Sequence, residues 1–218
     1  MIEEMSKWNE KGKESFVIQY NTPEIVLLDS AYCSMGRMIA RKACAEAGFR
    51  YFDAAELLKL IPDSELSIEE IDAFEKKLYD ENIDIEGIQK EREFNKINDA
   101  FNKASDRAIA SGRCLIHERA CTHKIKAANS HVLTVFTFTD KKAFILERAT
   151  VNPVYAELKS EKDIMNAVIT ENNIRRNWKK LRGDSAWGDI SSYDISMNTD
   201  MLGRDYSSVI LADLMIGK

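Results

Sequence analysis

The chain has 218 residues, of which 44% are hydrophobic and 31% charged, and its formal net charge is -5. That is apolar material for one sizeable core, and the acidic balance excludes a chain whose whole surface is a basic footprint for nucleic acid or membrane. The four cysteines, Cys33, Cys44, Cys114 and Cys121, lack CxxC spacing, and no stretch nears the roughly 18 apolar residues of a membrane span, so the chain reads as a reduced, soluble, cytoplasmic domain.

Residues 1–24 are charged and weakly patterned and are expected to form an accessory arm, with a short edge strand over Phe16–Tyr20 before Pro23. Ile25 to Leu28 is a compact apolar run suited to a strand buried on both faces. A helix is expected from about Gly36, where Met38, Ile39, Ala43 and Ala47 recur at helical spacing and Gly48 is placed to end it. Tyr51-Phe52 then makes a second strand. Residues 54–112 are highly charged and helical in pattern, broken at Pro62 and Ser67, and predict a helical insertion. Cys114–Ile116 and Val132–Phe136 are further buried strands, separated by a helix-length segment around Arg119 to Ala128. Lys141 to Arg182 has helical periodicity interrupted near Asn152-Pro153. A loop over Gly183 to Ser192, a strand near Ile195 to Met197 and a helix from about Asp205 close the chain. Strands alternating with helices imply a parallel sheet.

Three constellations could carry chemistry. The turn Asp29 to Arg37 leads from a strand into a helix, where first-turn amides and the helix dipole favour an anion. It keeps Gly36, Ser30 and Ser34 but lacks the lysine and the other glycines of GxxxxGK[ST], so by itself it also fits a plain turn. The run Arg175-Arg176-Asn177-Trp178-Lys179-Lys180-Leu181-Arg182 is either a solvated face or a phosphate clamp. Trp187-Gly188-Asp189 followed by Tyr193-Asp194 fits a structural turn before a strand. His117, His123 and His131 show no metal-type spacing and read as structural or surface positions, so no metal site is expected.

Taken in order, these pieces resemble the cytidylate kinase-like family of P-loop nucleoside monophosphate kinases. Ser34, Gly36-Arg37 and Ile39-Ala40 match the family's S-R-x-x-G-S-G-G-R-x-I-A, and Phe52-Asp53 is similar to its Y-D. Cys114 to Cys121 resembles C-V-I-V-G-R-C-A with Arg119 as the cation, and Phe138 to Arg148 resembles a strand-helix junction ending in E-R. Arg175-Arg176 match paired lid cations, while Trp187-Gly188-Asp189 and Tyr193 to Thr199 are similar to W-G-D and Y-D-L-x-L-N-T.

The resemblance implies a P-loop NTPase-type three-layer α/β sandwich over residues 25–218, with a parallel sheet, a helical acceptor-binding insertion at about 54–112 and a helical lid at about 150–192. It implies that Ser30, Cys33, Ser34, Met35, Gly36, Arg37 and Met38 hold donor phosphates and that Asp53 and Arg119 face the acceptor. Arg148, Arg175, Arg176 and Asp189 would belong to the lid, with Arg37, Arg175 and Arg176 catalytic. The implied reaction is ATP-dependent phosphoryl transfer, with Mg2+, to a nucleotide such as CMP. Nucleotides are the expected partners; nucleic acid is not, and homodimerisation is left open.

The chain departs from the family at Cys33 and Met35, which replace glycines, at Ser30, which replaces an arginine, at Met38, which offers no hydroxyl, and at Glu118, which stands in place of a glycine. These changes predict slow or absent transfer. The alternatives are therefore a catalytically impaired nucleotide- or anion-binding module acting through protein interaction, and a helical scaffold that binds a partner through Ser67 to Ala110.

Overall fold

The computed structural model describes residues 22–63, 66–152, 157–158, 160–184 and 187–218. Residues 1–21 of the arm, with its expected strand at Phe16–Tyr20, and Pro153 lie outside them. Strand β1 (Ile25–Ser30) is buried along its whole length. It sits at the centre of a five-stranded sheet with β2 (Arg50–Phe52), β3 (Cys114–His117), β4 (Val132–Phe138) and β5 (Ile195–Asn198) in the order β2-β3-β1-β4-β5. All four pairings are parallel.

Alternation along β1 divides the core into two layers. Val26 and Leu28 face α1 (Gly36–Ala47) and α9 (Thr199–Ile216), packing with Ile39, Ala43, Leu211 and Met215. Ile25 and Leu27 face the other side, whose cluster includes Phe74, Phe101 and Trp178. This is the three-layer α/β sandwich that the family resemblance implies, built on the parallel sheet expected from the alternating pattern.

The insertion comprises α2 (Ala54–Lys59), α3 (Ile68–Glu75) continued by a 3₁₀ turn at Lys76–Leu78, α4 (Ile85–Gln89) and α5 (Arg92–Ala110). Ser67 starts α3 through a capping box: its hydroxyl accepts the Glu70 amide at 3.2 Å and the Glu70 carboxylate accepts the Ser67 amide at 2.8 Å. The segment after β4 supplies α7 (Lys142–Thr150) and the 22-residue α8 (Glu161–Arg182).

Helix α8 is fastened to the insertion. Asn173 donates to the carbonyl of Tyr79 (2.9 Å), Asn177 to those of Leu78 (3.0 Å) and Asp80 (2.7 Å), and Gln89 to that of Leu181 (2.8 Å). Ile174, Trp178 and Leu181 belong to the same apolar cluster as the insertion's Phe74, Ile97 and Phe101. The expected lid and the insertion are thus packed together.

Two elements differ from the sequence expectation. Helix α6 (Thr122–Ala128) starts after Arg119 because Glu118 and Arg119 take left-handed backbone (φ 62° and 55°). Helix α9 begins at Thr199, capped by the Asn198 side chain, and is interrupted at Gly203 (φ 66°, ψ 176°), so the helix expected from about Asp205 is its longer second part. Among the described residues, no helix is long and apolar enough to cross a membrane.

Candidate functional site

The carboxyl end of β1 turns into α1 through Ala31 to Met35. Cys33 and Met35 hold left-handed backbone, with φ of 66° and 62°. That conformation costs a non-glycine residue roughly 1–2 kcal/mol. Gly36 is needed for close approach: a Cβ there would lie 2.5 Å from Ser30 Cβ and 2.9 Å from Thr137 Oγ1. Replacing Gly36 by Ala is expected to lower stability by about 1–3 kcal/mol, as overpacking does, and denaturant unfolding of the variant checks it.

The turn is tied down from several sides. The Ala31 amide donates to the Thr137 carbonyl (2.8 Å), Ser34 Oγ meets Thr137 Oγ1 (2.8 Å), and the Tyr32 amide donates to Asn172 (2.7 Å). Arg148 on α7 donates to the Cys33 carbonyl (3.1 Å) and to Thr199 Oγ1 (3.0 Å), and lies 3.4 Å from Asp200. The amides of Gly36, Arg37 and Met38 precede the first intrahelical bond, from the Ile39 amide to the Met35 carbonyl (3.0 Å), and have no acceptor within the helix. A cleft of about 350 Å³ opens over the turn and is lined by Ser30, Cys33, Met35, Gly36, Arg37 and Met38 together with Arg148 and Arg175. Burial pushes the Cys33 thiol up to about 11, against the pull of Arg175 and Arg148.

Arg175, from α8, reaches across the turn. Its guanidinium donates to the Ser30 carbonyl (2.7 Å) and Ser30 Oγ (3.0 Å), stacks over the Tyr32 ring at 5.0 Å, and pairs with Glu118 at 2.7 Å. Ser30 Oγ also donates to Glu118 (2.7 Å). Burial alone would raise the Glu118 carboxyl, but Arg175, His117 and Arg119 outweigh it and hold the group well below the usual carboxylate range.

A hydrogen-bonded chain leads away from this pair. Ser30 Oγ lies 3.0 Å from His117 Nε2, and Tyr51 OH lies 3.1 Å from His117 Nδ1 and 3.5 Å from Asp53. Asp53 is buried; it caps α2 by accepting the Glu56 amide at 3.1 Å and meets Arg41 at 3.4 Å and the exposed Arg37 at 3.8 Å.

Of the remaining sequence candidates, Arg119, Arg176 and Asp189 lie away from the cleft. Arg119 pairs with Glu75 (2.5 Å) under the Trp178 ring. Arg176 donates to Asn173 (2.7 Å) and lies over the Trp187 ring at 5.5 Å. Asp189 is exposed and caps a 3₁₀ turn at Ile190–Ser192. Ser34 is fully buried and Met38 half exposed.

Pattern reading missed His117 as a linking residue, and it missed the buried ion pair of Lys179 with Asp29 (3.0 Å), to which Tyr193 OH also donates (3.0 Å). The available signal was helical spacing: Arg175, Trp178, Lys179 and Arg182 share one face of α8. It also missed that His123 comes within 4.8 Å of Cys121 and Asp184. There the Asp184 carboxylate accepts the amides of Thr122 (3.0 Å) and His123 (2.9 Å), His123 Nδ1 (2.8 Å) and, more distantly, Lys179 (3.6 Å), which makes it the cap of α6.

Magnesium would need hard oxygen ligands. Met38 offers a thioether where the motif has a hydroxyl, the hydroxyls of Ser30 and Ser34 are engaged within the protein, and Asp29 is bound by Lys179 and Tyr193. These side chains do not fit a protein-held Mg2+.

Among solved structures, an uncharacterized protein from Eubacterium ventriosum is similar with 18% identity and a TM-score of 0.58, over 89% of this chain and 99% of that one. This likeness shows the fold. Shikimate kinase from Acinetobacter baumannii (11% identity, TM-score 0.49) is similar over 91% of this chain and 96% of its own. The YorR protein of Bacillus subtilis (15% identity, TM-score 0.45) is similar over 89% and 98%. No curated protein matches the chain. The sequence profile described as the cytidylate kinase-like family matches residues 25–201, from the first strand of the sheet through the start of the last helix, and the chain belongs to that family.

Proposed function

We propose that this protein is a nucleoside monophosphate kinase that transfers a phosphoryl group from ATP to a nucleotide such as CMP. The observation that carries the reading is the convergence of Arg148 and Arg175 on a cleft whose floor is the amide-bearing start of α1. Phosphoryl transfer needs little covalent chemistry from the protein; positioning and neutralisation of charge dominate. In this reading the α1 amides and Arg37 receive the donor phosphates, while Arg175 exchanges Glu118 for a phosphate oxygen. Asp53 and Arg119 face the acceptor on the insertion side, and Arg148, Arg176 and Asp189 serve the lid.

A second reading is favoured by Arg175, Ser30 and Glu118 closing on one another, and by the side chains at Cys33 and Met35. On this view the chain binds a nucleotide or anion with impaired catalysis and acts through protein interaction. An assay of ADP release across nucleoside monophosphates with ATP and magnesium, paired with thermal unfolding, separates the two. A ligand that binds only the folded chain adds roughly 2.7 kcal/mol at a hundredfold excess over its dissociation constant. Turnover supports the kinase; a raised melting temperature without turnover supports the module. Neither result at millimolar nucleotide rejects both.

A further inference from the structure

Beneath the Arg175–Glu118 pair is a second, much smaller cavity of about 10 Å³, room for one water-sized species. Arg119, Arg182 and Trp187 contribute to its wall together with Asp29 and Glu118, whose carboxylates are already held by Lys179 (3.0 Å) and Arg175 (2.7 Å). Four of their N–H groups, Arg119 Nε, Arg182 Nε, Arg182 Nη2 and Trp187 Nε1, are buried and have no acceptor among the described residues. Unpaired buried donors are rare in folded proteins because each keeps its desolvation cost.

The charges around the cavity are almost completely paired. Arg119 has Glu75, Arg175 has Glu118, and Lys179 has Asp29 and Asp184. Arg182 is the exception. It is 9% exposed, its Nη1 donates to the Arg119 main-chain oxygen, its guanidinium lies over the rings of Trp178 (5.2 Å) and Phe101 (5.7 Å), and no described carboxylate oxygen comes within ion-pair distance. Burial draws Arg182 down to about 10, well below the ordinary range of arginine. A buried cation without a counter-charge is strongly destabilising.

A water molecule accepts two hydrogen bonds and neutralises nothing. A monatomic anion accepts several N–H groups at once and supplies the missing charge, while the size of the space excludes phosphate and sulfate. We propose that this cavity is an internal halide site, occupied by chloride, that neutralises Arg182 and joins α8 to the β3–α6 connection and to Trp187.

Two measurements test it. In crystals grown with bromide, an anomalous peak is expected between Arg119, Arg182 and Trp187. In thermal unfolding at constant ionic strength, with gluconate replaced stepwise by chloride, the intact protein is expected to gain several degrees. Arg182→Met should abolish that gain, relative to its own gluconate reference. Trp187→Phe removes one N–H without unburying a charge, should shift the chloride midpoint about tenfold, and carries the test if Arg182→Met fails to fold. A melting temperature indifferent to chloride, absence of bromide from the cavity, or chloride dependence that survives the substitution overturns the assignment.

Discussion

Replacing Cys33 and Met35 together by glycine is expected to raise affinity for ATP tenfold or more while leaving stability within about 1 kcal/mol of the parent. Both residues hold left-handed backbone and both line the cleft over the start of α1. Glycine removes roughly 1–2 kcal/mol of strain at each position. It also gives up the packing of Cys33 against the Ala149, Ile164 and Val168 cluster and of Met35 against the layer formed by α1 and α9. The greater freedom of glycine in the unfolded chain costs a further 0.5–1 kcal/mol or so, so the stability contributions nearly cancel. Affinity has no such offset, because two side chains are withdrawn from the space a phosphate would enter. Isothermal titration of ATP and denaturant unfolding read the two quantities separately. An affinity unchanged by the double substitution would show that these side chains do not obstruct the site. If the parent protein already turns over at ordinary kinase rates, of order 1 to 100 per second, the turn is not disabled at all.

Local signals made most of the fold legible. The apolar run Ile25 to Leu28 suits a strand buried on both faces and forms one, Gly48 ends α1 in left-handed conformation as expected, and Ser67 starts α3 through its own side chain. What resisted reading was decided across the sequence. The α6 start depends on Asp184, 62 residues from Thr122, accepting its first amides. Glu118 was legible as a substitution for a glycine and as an added negative charge. Its partner Arg175 stands on a helix whose cationic run, by composition, fits a solvated face better than a clamp, and the structure divides that run: Lys180 is exposed, whereas Lys179 and Arg182 are buried. Helical spacing places Arg175, Trp178 and Arg182 on one face, but only the packing of α8 against the insertion turns that face inward.

The ion pair across the turn gives the other large expectation. Arg175→Met leaves Glu118 in a mostly buried position after removing its shortest ion-pair contact, at 2.7 Å, and both side chains are only 14% exposed. Breaking a buried pair from one side costs about 3–5 kcal/mol, and residual solvent access puts the expected loss near the lower end. Glu118→Gln added to Arg175→Met should restore most of that stability, since a neutral amide at this position needs no counter-charge. Acid should act in the same direction as the second substitution. Because Glu118 is held below its unfolded value, its ionic contribution is fully present above the ordinary glutamate pKa of about 4.3 and is lost as pH falls toward the depressed value. The stability gap between the parent and Arg175→Met is therefore expected to be widest at neutral pH and to close in acid. A gap that stays constant from pH 7 to pH 3 would mean that Arg175 acts through packing over Tyr32 and through the Ser30 carbonyl. It would also remove the reason for supposing that Glu118 competes with a phosphate for the arginine.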